Sequence, residues 1–175
     1  QAAATGARFL LISHMRGHLA DMDALAAICD HLSLTLIEDC AHTMGGAWKG
    51  KPSGTFGKAA CFSTQTYKHI NSGEGGFVTT DDPDVMARCI IRSGSYMLYD
   101  RHIAAPDAAS FADARLDMPN CSSRMDNLRA AILRPQLRDL DRQIERWNER
   151  YFEIEKGLRE TPGLSVVDRP EAETF

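Results

Sequence analysis

The chain has 175 residues, of which 43% are hydrophobic and 25% charged, and its formal net charge at pH 7 is −4. That balance is ordinary for one globular domain with a buried core. It argues against nucleic acid as the main partner, because phosphate binding needs a basic face.

The first residues, Gln1 to Arg8, include no initiator Met and run almost at once into an apolar stretch. Phe9 to His14 reads as a short buried parallel strand. Its apolar run, Phe9-Leu10-Leu11-Ile12, is too short to span a bilayer or to form the apolar region of a secretory signal, so no membrane partner is expected. Asp21 to Leu32 carries Met22, Leu25, Ala26, Ile28 and Cys29 at helical spacing, with acidic residues at its start where they suit the dipole. Leu34 to Ile37 is a second strand, ending in Glu38-Asp39. Strand, helix and strand within about thirty residues make a βαβ unit.

Gly45 to Gly57, with Pro52 and Ser53, reads as turns around a short hairpin. Ala59 to Ser63 is a third strand, and a Gly-rich turn at Gly73-Glu74-Gly75-Gly76 leads into a fourth, Phe77 to Thr80. Asp82 to Ile91 is expected to be helical, with Pro83 early, where its missing N–H costs nothing. Residues 94–122 lack periodicity and read as one long loop. Ser123-Arg-Met-Asp126 fits a capping box at the head of a long helix. Leu133, Leu137, Leu140, Ile144, Trp147, Tyr151, Ile154 and Leu158 place one apolar stripe along it, read as core or subunit interface. Pro135 should kink this helix near its start, and Pro162-Gly163 ends it. Leu164 to Asp168 reads as a further strand, so a piece of a longer polypeptide is expected. The pattern as a whole is α/β.

Asp39 sits just past one strand, Ser63 ends another, and Lys68 lies in the loop that follows. In open α/β sheets, ligands bind at the carboxyl ends of strands, where an Asp, a Ser and a Lys could together hold an anionic cofactor with a cationic ring. The same three also read as a turn cap, a solvent-facing hydroxyl and a surface lysine, and local pattern alone favours that plainer reading. No metal site is expected. His14 and His18 are four apart, but Gly17 lies between them and strand precedes them. Asp39, Cys40 and His42 have no second ligand pair at zinc spacing. No GxSxG elbow supports a Ser-His-Asp triad. The five cysteines, Cys29, Cys40, Cys61, Cys89 and Cys121, show no CxxC spacing and read as reduced, mostly buried thiols of a cytoplasmic protein.

Taken in order, Asp21-Met-Asp23, Ile37-Glu-Asp-Cys-Ala-His42, Gly50-Lys-Pro-Ser-Gly-Thr-Phe-Gly57, Phe62-Ser63, Tyr67-Lys68, Gly73-Glu-Gly-Gly76, Ser123-Arg-Met125, Ala130-Ala131 and Gln136-Leu137 form a specific set. Their order and spacing resemble the DegT/DnrJ/EryC1/StrS aminotransferase family, pyridoxal 5'-phosphate (PLP) enzymes of fold type I. The resemblance runs from about His14 to about Leu164. It implies a three-layer α/β/α fold with a mainly parallel sheet, the partial large domain of an aspartate aminotransferase-like enzyme. Residues 1–122 would belong to the PLP-binding large domain, 123–160 to a long helix leading toward the small domain, and 161–175 to the start of that domain.

The resemblance also assigns roles. Lys68 matches the lysine that holds PLP as a Schiff base and then shuttles the proton at the substrate carbon. Asp39 matches the partner of the pyridinium nitrogen, Ser63 a hydroxyl on the phosphate, and His42 a residue beside the cofactor ring. The implied reaction moves an amino group from glutamate or glutamine to a keto sugar, nucleotide-linked, or to a keto-cyclitol, in a full-length homodimer with interfacial sites. Lys68 argues against the family's dehydratase branch, where His stands at that position.

Three features depart from the family pattern. Ser122 stands, with Asn120 nearby, where an Asn normally reaches the neighbouring subunit's phosphate, and Lys58 replaces a common Asp. The N-terminal phosphate-cradling segment, the ring-stacking residue and the small domain have no counterpart, so this piece alone is expected to be inactive. A non-catalytic protein that keeps the fold for assembly or regulation is the competing reading, and a cofactor-free Schiff-base aldolase is a third. Residues 94–122 are expected to approach the substrate, with Tyr96, Tyr99, Arg101 and His102 unassigned.

Overall fold

A computed structural model describes residues 2–94, 97–119 and 121–174; Tyr96 and Asn120 lie outside the described residues. Strand β1 (Phe9–Ser13), helix α1 (Met22–His31) and strand β2 (Thr35–Asp39) form the expected βαβ unit, with β1 and β2 parallel and in register from Phe9 opposite Thr35 to Ser13 opposite Asp39. Asp21 starts α1 by accepting the Ala24 N–H at 3.0 Å. Residues 47–52 make the small hairpin of β3 (Ala47–Trp48) and β4 (Lys51–Pro52). Strand β5 (Ala59–Ser63) then joins β2 in parallel, and β6 (Gly76–Thr79) returns antiparallel beside β5, giving the order β1-β2-β5-β6. The sheet is mainly parallel with helices beside it, the α/β class that the sequence implies.

Strand alternation sorts the sheet into two faces. Leu10, Ile12, Leu36, Glu38 and Ala60 point one way. There Leu36 packs with Leu19, Met22, Cys29 and Trp48, and Leu10, Ile12 and Leu25 lie against that cluster. Phe9, Leu11, Ile37, Asp39, Cys61 and Ser63 point the other way, where cover is thin: Phe9 and Leu11 are 62% and 63% exposed. Nothing among the described residues covers these two side chains fully.

Helix α2 (Pro83–Arg92) starts on Asp82, whose carboxylate accepts the Val85 N–H at 2.9 Å, with Pro83 in the first turn as expected. Residues 94–122 are more ordered than their sequence suggests. They contain two 3-10 turns and the short helix α3 (Ala114–Asp117). Phe111 and Ala114 pack with Ala87, Ile90 and Ile91 of α2, and Tyr99 stacks on Phe111 at 4.5 Å. The anchors are single residues on short turns, which leave no periodicity to read.

The long C-terminal helix also differs from expectation. Its N-cap is Asp126, which accepts the Arg129 N–H at 2.9 Å, and not Ser123. The helix then divides into α4 (Asn127–Arg138) and α5 (Leu140–Arg159). The break falls at Asp139, one turn after Pro135; the Asp139 carboxylate caps no backbone N–H and instead takes the side chains of Arg142 and Gln143 at 2.7 and 2.9 Å. Along the stripe Ile144, Trp147 and Tyr151 are half-buried against the body, whereas Ile154 and Leu158 are exposed. Leu164 to Asp168 forms no strand. Instead β7 (Glu173–Thr174) pairs with β3, and the buried Glu173 accepts the Leu19 N–H. Of the five free cysteines, Cys29 and Cys40 are buried, Cys89 is half-buried, and Cys61 and Cys121 are exposed, fewer buried than the sequence suggests. No helix among the described residues is long and apolar enough to cross a membrane.

Glu38 is the most constrained polar residue of the sheet. Its carboxylate is fully buried and accepts N–H groups from Phe56 and Gly57 at 2.8 Å and Gly54 at 3.0 Å, with His14 Nε2 at 3.2 Å. Gly54 belongs there, since its φ of +81° is a left-handed conformation and a Cβ would meet the Phe62 ring at 2.5 Å. Burial pushes the Glu38 carboxyl up, but His14 and the three backbone donors outweigh it and hold it below its ordinary value. A folded-state value below the unfolded one adds stability above about pH 4.5 and withdraws it as acid protonates the group. Glu38→Ala should therefore cost roughly 3–5 kcal/mol in urea unfolding at neutral pH, and the gap to wild type should narrow on acidification.

Candidate active site

Because β1, β2 and β5 run parallel, their carboxyl ends share one edge, and Ser13, Asp39 and Ser63 all lie there on the same face. Asp39 accepts the Ser13 hydroxyl at 2.8 Å and the Ala41 N–H at 3.1 Å. Burial raises its carboxyl, and those two donors, with the positive charge of Lys68, bring it to a net value below the usual range. Asp39 is thus held ionised.

Three residues on, His42 accepts the Arg16 N–H on Nδ1 at 3.0 Å, which leaves the ring proton on Nε2. His42 also divides two spaces. On one side is a small recess lined by Ser13, His14, Asp39 and Ala41. On the other is a cavity of about 430 Å³, within the size range of small-molecule sites. Lys68 lines that cavity with Arg16, Met44, Trp147, Tyr151 and Arg169.

Lys68 stands on the turn between β5 and β6, and its own N–H closes onto the Gln65 carbonyl at 2.9 Å. The turn is zipped by Thr64 N–H to Gly75 O and Thr66 N–H to Gly73 O, both 2.9 Å. Two contacts then tie it to the long helices. The Gln136 side chain of α4 accepts the Asn71 N–H at 3.0 Å and donates to the Asn71 carbonyl at 2.8 Å, as a strand neighbour would. His69 stacks on Trp147 of α5 with ring centroids 4.9 Å apart.

The sequence-derived residues therefore separate into three positions. His42 and Lys68 share the larger of these two spaces, Asp39 lies in the recess, and Ser63 lines neither. Ser63 is half-buried at the end of β5, where its Oγ accepts the Gln65 N–H at 3.3 Å and keeps its own proton to donate. Arg16, Asn148 and Arg169 were not singled out from sequence. Arg16 follows a strand end and was within reach of the rule that found Asp39; Arg169 arrives through a return of the chain that has no local signal.

One further cluster could in principle take a metal: His14, Glu38 and Cys40 bring ligand atoms within 4.8 Å of one another. Its chemistry points elsewhere. The Glu38 oxygens are already engaged by four donors, and burial pushes the Cys40 thiol up to about 11, so it keeps its proton.

The family model of the DegT/DnrJ/EryC1/StrS aminotransferase family matches residues 2–174. The chain belongs to that family. It is 34% identical over 143 residues to the L-glutamine:scyllo-inosose aminotransferase of Streptomyces griseus, covering 79% of this chain and 32% of that protein. It is also 34% identical to the GDP-perosamine synthase of Escherichia coli O157:H7, covering 80% and 35% respectively. Among solved structures, S. venezuelae DesV in complex with a ketimine intermediate superposes with a TM-score of 0.75 at 30% identity, over 95% of this chain and 42% of that one. The chain thus spans about a third of the length of the curated relatives it matches.

If the Gln136 amide fixes the Lys68 turn, Gln136→Ala should cost about 1–2 kcal/mol and speed amide exchange at Asn71 by roughly tenfold, while Gln65 and Thr66 on the zipped side change less.

Proposed function

We propose that this chain is the lysine-bearing part of a PLP-dependent aminotransferase that moves an amino group from glutamate or glutamine to a keto sugar, nucleotide-linked, or to a keto-cyclitol. What carries the reading is the pairing of Lys68 and His42 in one cavity with an ionised Asp39 just beyond His42. The named activities of the Streptomyces griseus and Escherichia coli relatives support the acceptor class.

The residues suit PLP at each end. Asp39, held as a carboxylate by Ser13 and Ala41, would keep a proton on the pyridine nitrogen. The free hydroxyl proton of Ser63 is available to a phosphate oxygen, and His42 Nε2–H is available beside the ring. When bound, PLP supplies an electron sink for the charge left on the substrate carbon. Lys68 would hold the cofactor, and its amine would move the proton at the substrate carbon. The Gln136 and Trp147 contacts limit how far its turn can shift.

In this reading residues 1–122 belong to the PLP-binding large domain, 123–160 form the helical passage toward the small domain, and 161–175 begin that domain. The exposed Ile154 and Leu158 suit a homodimer of the full-length protein. Five cysteines free of disulfides suit a cytoplasmic setting.

The full-length protein, purified with PLP, should show a visible absorption band that Lys68→Ala abolishes together with amino transfer. Asp39→Asn should keep the bound cofactor and slow turnover on the order of 100-fold. A colourless protein that gains no band with added PLP, and is unchanged by Lys68→Ala, would sink the proposal. Borohydride trapping of a carbonyl substrate on Lys68 without PLP would point to a cofactor-free aldolase.

A further inference from the structure

The cavity beside Lys68 is charged more strongly than the roles above require. Its charged lining residues are Arg16, Lys68 and Arg169, and no aspartate or glutamate lines it. The chain as a whole carries a charge of −4, so this concentration of cations runs against its average. Asp39 lies in the neighbouring recess, and Glu38 is committed to the backbone on the opposite face of the sheet. Ile144, Trp147 and Tyr151 form an apolar wall, which strengthens the field felt inside.

The two arginines are not equivalent. Arg169 rests on the Tyr151 ring at 4.4 Å. Arg16 is exposed, and among the described residues its guanidinium makes no hydrogen bond, ion pair or ring contact. Its backbone is also unusual, with φ 62° and ψ 16°, a left-handed conformation that a Cβ disfavours. Gly17 follows at φ 84°, and the Arg16 N–H is fixed on His42 Nδ1. A glycine would sit more easily at position 16, yet a long cation stands there at the mouth of the cavity.

We propose that Arg16 is the anion-binding residue of the Lys68 cavity, its planar fork taking two oxygens of a substrate carboxylate or phosphate against the Trp147–Tyr151 wall. The assignment of that anion to a substrate rests on the aminotransferase reading. It has two sources there, the α-carboxylate of the amino donor and the diphosphate of a nucleotide-linked acceptor.

Calorimetric titration of the full-length protein with glutarate and with inorganic pyrophosphate tests this without relying on turnover. Arg16→Gln should weaken binding about tenfold or more, and Arg16→Lys, which keeps charge but loses the fork, by less. Arg16→Gly should raise the thermal unfolding midpoint while weakening binding as much as Arg16→Gln, so lost binding is not mistaken for lost folding. An effect on glutarate alone assigns the donor carboxylate, an effect on pyrophosphate alone the diphosphate, and an effect on both a shared seat; each supports the proposal. Binding of both probes within about twofold of wild type in Arg16→Gln and Arg16→Gly, or by neither probe in wild type, overturns it. A protein that binds a probe through Arg16 but never shows the PLP band would fail the aminotransferase reading and keep this one.

Discussion

Glu38 has exchanged water for protein, and a buried carboxylate persists only where donors replace its lost hydration. It has four, and they come from separate places: His14 from the end of β1, and the backbone N–H groups of Gly54, Phe56 and Gly57 from the segment leading into β5. One side chain on β2 therefore ties both neighbours of β2 at their functional edge. The next residue depends on this. Strand alternation turns Asp39 to the opposite face, so the dipeptide Glu38-Asp39 braces the sheet with one carboxylate and leaves the other among Ser13 and Ala41 at the strand ends. The parallel register of β1 and β2 sets Ser13 beside Asp39, and the Glu38–His14 contact reinforces it.

Around that braced edge the remaining groups are placed by contacts from distant parts of the chain. The Lys68 turn has an internal hydrogen-bond zip, but its orientation comes from Gln136 and Trp147. His42 is oriented by a backbone N–H, and that N–H is presented by a left-handed residue. Arg169 reaches the cavity because the chain returns to pair Glu173-Thr174 with β3 and to bury Glu173 beside Leu19. Each of these is a contact between residues far apart in sequence. The cavity is a property of the assembled fold and belongs to no single motif.

That distinction explains what could be read from the sequence. The βαβ unit was legible because its signals are local: apolar strands, a 3.6-residue stripe and an acidic cap at Asp21. Asp39, Ser63 and Lys68 stand out together in the sequence because strand ends collect ligands and because the ordered motifs match a family, yet Lys68 lines one cavity, Asp39 the recess and Ser63 neither. The signals that failed were ambiguous or long-range. Ser123 and Asp126 both suit an N-cap, and only the hydrogen bond to Arg129 decides for Asp126. Pro135 advertises a kink, yet the helix carries it and breaks a turn later at Asp139, whose backbone leaves the helical range at φ −101° and ψ 8°. The apolar run at Leu164 looks like a strand, but the pairing went to the polar Glu173-Thr174, whose partner lies more than a hundred residues away.

The break at Asp139 has a mechanical consequence. The two ties on the Lys68 turn stand on opposite sides of it, Gln136 on α4 and Trp147 on α5. Trp147 lies eight residues beyond the break, about 12 Å along the α5 axis at 1.5 Å per residue. A rotation of about 5° at Asp139 would thus carry Trp147 by roughly 1 Å relative to Gln136. The turn between them acts as a strap across a lever, so the angle between the helices is transmitted to the position of Lys68, and the catalytic part proposed for it would be sensitive to displacements of that size.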